Sequence, residues 1–144
     1  MNNQSLNKAH WSFWLISVFF LIWNVMGVAN FFMQMNAEMV AGFPDTHQAI
    51  IEGRPLWATG GFAISVFCGA LGCLLLSLKK AISCYLFAAS LLGTIVTMIH
   101  TIIIARSVIN FSIGEIIVMI VLPLAAAAFL LWYSKLIESK GWIS

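Results

Sequence analysis

Residues 56–105 read LWATGGFAISVFCGALGCLLLSL, then KK, then AISCYLFAASLLGTIVTMIHTIIIA: two long apolar runs held apart by Lys79-Lys80 alone. Each run exceeds the ~20 residues that carry an α-helix across a bilayer core. Neither contains a charged side chain, and charges are costly at that depth. A break this short leaves room only for a tight turn, so the two runs are expected to form an antiparallel helical hairpin.

Working outward, residues 11–35 and 113–134 supply two further runs of the same kind. Apolar residues make up 62% of the 144 positions and charged residues 8%, against ~25% charged in a soluble domain. The fold class that follows is all-α: a polytopic membrane protein with an antiparallel four-transmembrane-helix bundle as its single domain over 1–144. The first run is too long for the roughly 7–15-residue core of a cleaved leader, and Asn24 and Asn30 interrupt it, so it is expected to be a span. Scattered charges summing to +2 exclude a nucleic-acid surface and a polybasic lipid-binding tail.

Interface chemistry supports these boundaries. Trp11 and Trp14 open the first run, Pro55 and Trp57 precede or open the second, and Trp132-Tyr133 close the fourth; amphipathic rings prefer the headgroup level. Ser112-Ile113-Gly114-Glu115 has the form of a capping box starting the fourth helix. Pro123 lies inside that helix, where it should bend the axis unless neighbours satisfy the freed carbonyl. The one long connection, 36–55, should carry a short helix that Asp45 or Thr46 caps and Gly53 ends, with Glu38 to Gly42 extending the first helix. Lys8, Lys79, Lys80, Lys135 and Lys140 fall at one end of the bundle, and Arg54 and Arg106 at the other. The positive-inside rule then places both termini in the cytoplasm and the 36–55 loop in the periplasm.

Two residue patterns inside the lipid zone bear on function. Gly61, Ser65, Gly69 and Gly72 make a small-residue stripe on the second helix, and Ala125 to Ala128 a smooth surface on the fourth. Such stripes let backbones approach, either within one subunit or across a seam between copies. Asn24, Asn30 and Gln34 share a broad face of the first helix, while Thr97 and His100 belong to a polar stripe on the third. With Arg106 and Glu115 above them, they form a candidate polar pocket between helices 1, 3 and 4. Polar groups in lipid are functional hypotheses by default, and they also join helices without binding anything.

Chemistry is otherwise sparse. His10, His47 and His100 lie far apart, and no metal motif, nucleophile elbow, P-loop or dinucleotide fingerprint occurs. The expectation is a non-enzyme with no metal and no cofactor. Cys68, Cys73 and Cys84 read as small apolar fillers, not as a disulfide.

Trp23-Asn24-Val25-Met26-Gly27 and Met33-Gln34 in the first helix, Pro55-Leu56-Trp57 entering the second, and Leu130 to Lys135 with Lys140-Gly141-Trp142 near the end carry a resemblance. Over nearly its whole length the chain resembles a largely uncharacterised group of small four-helix bacterial inner-membrane proteins, often labelled "sugar transporter". The resemblance implies that membrane and, by label only, transport of a small polar, sugar-like solute. Four helices leave little room for a pathway within one bundle, so a transporter of this size should be oligomeric. The second class is a non-catalytic accessory, assembly or lipid-binding module with the bilayer, a further copy or another membrane protein as partner. Against transport coupled to protons, the first three helices hold no carboxylate.

The charge distribution makes a direct prediction. A reporter fused after Ser144 should be active only in its cytoplasmic form, and one inserted in the 36–55 loop only in its periplasmic form. Activity of both forms at either position would mean dual insertion.

Overall fold

The computed structural model describes residues 10–107 and 111–144, and among these the fold is all helical. Helix α1 covers Trp11–Gln34, followed by two short helices, α2 (Ala37–Val40) and α3 (Asp45–Ile51). Then come α4 (Leu56–Ser77) and α5 (Ser83–Ser107). The last long helix is composite: α6 (Ile113–Ile116), a π-turn over Ile117–Val121, and α7 (Leu122–Ser139). Four helices are thus long and apolar enough to cross a membrane. The fourth runs past the expected end at 134, because Ile137 continues the packed face of α7 and is almost fully buried.

Glycine lets α4 and α5 approach closely along their length. A Cβ on Gly93 would lie 2.6 Å from the Gly61 carbonyl oxygen and 2.8 Å from the Ser65 nitrogen. One on Gly72 would lie 2.8 Å from the Phe87 ring. Contacts therefore rise along α5 as they descend along α4: 72 with 87, 69 with 90, 65 with 94 and 61 with 96. Helix α1 joins this pair through Gly27, which faces Val66, and through Asn24, whose amide sits against Gly69. The small stripe of α4 is accordingly spent inside the subunit, on α5 and α1, and a seam between copies would need another surface.

The lysine-rich end is sealed. Phe13, Leu76, Phe87, Leu130 and Ile137 come from four different helices and interlock there with Cys73, Cys84 and Tyr133. Two Schellman motifs close α4 and α7 at this end. In one, Lys80 N–H donates to the Leu75 carbonyl at 2.9 Å, with Lys79 at φ +59°. In the other, Trp142 N–H donates to the Ile137 carbonyl at 3.1 Å, with Gly141 at φ +70°. A left-handed Lys costs about 1–2 kcal/mol, and its ammonium lies over the Trp14 ring, 5.7 Å from the centroid. The backbone of Ser144 then pairs with Lys79 and Ala81, both at 3.0 Å, and brings Ile143 into the core. Lys8 lies outside the described residues; Lys79, Lys135 and Lys140 all sit over aromatic rings at this end.

The other end departs from the sequence reading in three places. Helix α1 does not extend through Glu38: it stops at Gln34, and Asn36 caps a separate α2 by accepting from the Glu38 and Met39 N–H groups. Neither Asp45 nor Thr46 caps α3. Pro44 holds that position, and the Thr46 hydroxyl instead reaches Glu115. At Pro123, where a bend is expected, the structure adds a local change of helix type. Lacking an N–H and crowding the carbonyl four residues back, the proline follows a widened turn in which Leu122 N–H donates five residues back to Ile117. The capping box of Ser112 and Glu115 forms as the sequence indicates.

Gly69 tests this packing. A side chain there meets the Asn24 amide at once and the Ser90 hydroxyl at 3.2 Å. Gly69→Leu should cost at least the ~1–3 kcal/mol of core overpacking, read as a lowered melting temperature in detergent. An unchanged melting temperature would place this face on lipid.

Candidate functional site

Away from the sealed end the helices diverge around a cavity of about 650 Å³. Its walls come from α1, α4, α5 and the composite fourth helix, and α3 with Arg54 covers the top. The closely packed α4–α5 pair holds one side. The π-turn shapes the opposite wall, where Val118, Met119 and Pro123 face inward. Thr46 ties α3 to the fourth helix by donating to Glu115 Oε1 at 2.8 Å, while Glu115 Oε2 accepts from the Ser112 N–H at 2.9 Å and hydroxyl at 3.0 Å.

Polar groups fall into two sets with different chemistry. At the rim, Gln34 Nε2 donates to Asn30 Oδ1 at 3.3 Å, and the Arg54 guanidinium donates through Nη2 to Gln34 Oε1. The guanidinium also lies over the Phe62 ring, 5.4 Å from its centroid. Burial pulls its pKa down from the ordinary arginine value, and it stays protonated because that value is so high. Arg54 is half-buried, and among the described residues its partners are an amide and a ring, not a carboxylate. Among the described residues Nη2 alone of the fork makes a hydrogen bond, which leaves most of its five donors to a ligand.

On the floor, every hydroxyl is already committed. Ser90 donates to the Ser65 carbonyl at 2.7 Å, and Thr94 to the Ser90 carbonyl at 2.8 Å. That leaves Ser65 as the donor in its 2.6 Å contact with the Thr94 hydroxyl. Thr97 and Thr101 bond back to the carbonyls of Gly93 and Thr97, at 2.9 and 3.1 Å. The Asn24 amide donates to the Phe20 carbonyl at 2.8 Å and to Cys73 Sγ at 3.5 Å. Such inward-bonded groups present little polarity to a guest.

Of the residues expected from the sequence, Asn24, Asn30, Gln34 and Thr97 line this cavity. His100, Arg106 and Glu115 do not belong to its lining. His100 is buried against the Trp57 ring, edge to face at 5.9 Å, and its Nδ1 has no hydrogen-bond partner among the described residues. Arg106 is exposed in the last turn of α5, and Glu115 serves the cap and the α3 tie. Ser65, expected to pack helices, also lines the cavity, whereas Gly61, Gly69 and Gly72 only pack.

Sequence reasoning missed Arg54 as a site residue and counted it only toward orientation. The available signal was its position: a cation two residues before a span, beside the end of the span that carries Gln34. His47, Ile50 and Ile51 of α3 also face the cavity, and only the fold could bring them there.

No group of three His, Cys, Asp or Glu side chains gathers as a metal site among the described residues. Compared with protein-family models, with curated proteins and with solved structures, the chain matches none.

Accessibility separates the cavity residues from the buried ones. In a background lacking Cys68, Cys73 and Cys84, Asn30→Cys should react with a small charged thiol reagent added from the loop side. His100→Cys, under Trp57, and Val25→Cys, on the lipid face, should not. An inert Asn30→Cys in folded protein would mean that the rim is sealed.

Proposed function

We propose that this chain is a non-catalytic ligand-binding module of a bacterial inner membrane. In this reading it is inserted in one orientation as an antiparallel four-helix bundle, with cytoplasmic termini and the cavity facing the periplasmic half of the bilayer. The observation that carries the proposal is the asymmetry along the bundle axis: an interlocked core closes the lysine-rich end, and a cavity whose arginine has no carboxylate partner among the described residues occupies the other. Such a cavity can hold a ligand, but one closed end gives no continuous path across the bundle. Its volume lies within the roughly 300–1,000 Å³ of small-ligand sites.

A second reading, an oligomeric transporter of a small sugar-like solute, draws support from the π-turn beside Pro123 in the cavity wall. Such turns often mark functional sites, and this one gives the fourth helix a place to change its bend.

Native mass spectrometry of protein released gently from its own membrane should show a bound small ligand at one per chain. Ala126→Trp, which fills the cavity, should remove it. Liposomes carrying the protein should take up labelled glucose no faster than empty ones. Uptake above that background, lost in Ala126→Trp, would establish the transporter reading instead.

A further inference from the structure

The cavity is amphipathic and opens sideways, and these two features define what fits it. Helices α1 and α7 share no extended contact. They meet near the sealed end, where Phe20 stacks on Phe129 at 5.3 Å. Beyond that stack they part. Met26 and Met33 on α1 and Val118 opposite them line the cavity and are also exposed on the surface of the bundle. Met26 lies about 12 Å below Gln34 along the helix. In a hydrocarbon core of ~30 Å, a slit reaching to that depth faces acyl chains as well as the headgroups above them.

The interior matches an apolar guest. Beside Met26, Met33 and Val118 the walls offer Val66, Met98 and Leu130, and the hydroxyls and amide of the floor have spent their donors within the protein. A sugar buried there would find acceptors but few donors for its hydroxyl oxygens, and each of its groups left unpaired would cost about 1–3 kcal/mol. The rim has the opposite character: Arg54 presents a partly desolvated fork whose geometry suits a carboxylate or phosphate, flanked by Gln34, Asn30 and His47.

We infer that the cavity binds an anionic amphiphile, its carboxylate or phosphate on Arg54 and one acyl chain inserted between α1 and α7. This rests on the ligand-binding reading above and names the ligand class for it.

Purified protein in neutral detergent, offered oleate, oleoyl lysophosphatidate and mono-oleoylglycerol in turn, tests the inference by native mass spectrometry. The three share one chain and differ in head. The two anions should be retained at one per chain, and the neutral glyceride about tenfold less, as expected for loss of a charge-assisted contact. The stronger of the two anions identifies the source of the headgroup, a fatty acid or a phospholipid. Arg54→Gln should lower retention of the anions to the level of the glyceride, and Ala126→Trp should abolish all three. If Arg54→Gln does not fold, the wild-type comparison and Arg54→Lys, which keeps the charge and loses the fork, still decide. Equal retention of the three lipids would overturn the role of charge. Retention of none, with a neutral solute bound in protein from its own membrane, would overturn the ligand class and leave the cavity reading standing. Retention of none with no bound ligand at all would overturn both.

Discussion

Water is absent from the core of a bilayer, so apolar area does not drive these helices together; close van der Waals contact and shared polar groups must do so. The α4–α5 pair meets that requirement through Gly61, Gly93 and Gly72, where added side-chain atoms would collide. Two hydrogen bonds between them, from the Ser90 hydroxyl to the Ser65 carbonyl and between the Ser65 and Thr94 hydroxyls, fix the sliding register of the same two helices. Helix α1 docks on this pair at Gly27 and Asn24, and α7 packs on the other side of α5. With both neighbours placed by the central pair, α1 and α7 have no need to touch along their length.

The gap between them divides the bundle into two regions with different physics. Near the lysines, aromatic and aliphatic side chains from every long helix interlock, and the chain's last residues add Ile143 to them. Near the loop, the same divergence leaves a space that α3 covers from above. The cost of exposing an arginine to that low-dielectric space is reduced by the Gln34 amide and the Phe62 ring. Among the described residues no carboxylate cancels it, as one does in most buried pairs.

Much of the fold could be read from the residues because the bilayer enforces it. Helices satisfy their own backbone groups, so long uncharged runs become spans, and the short Lys79-Lys80 break sets which two are neighbours. The capping box at Ser112 depends on residues three apart and is equally local. The site was less legible. Asn24, Asn30, Gln34 and Thr97 announced themselves by polarity, but polarity alone did not separate a rim group such as Gln34 from an inward-bonded one such as Asn24. His100 is the plainest case: periodicity put it near the right depth, and its ring turned toward Trp57. Arg54 lay outside every run, and its role depends on the path of the loop.

The π-turn has a consequence for angular phase. A helix advances about 100° per residue, so the extra residue held in Ile117–Val121 offsets everything on its far side by that angle from a regular continuation of α7. Met119, Pro123 and Ala127 stand four residues apart and would share a face of an unbroken helix; the offset adds Val118 to that wall and turns Glu115, which meets Thr46, by the same angle. A chain shortened by one residue in that turn could keep either the cavity wall or the tie to α3 in phase. The two functions of the fourth helix are coupled through one surplus residue.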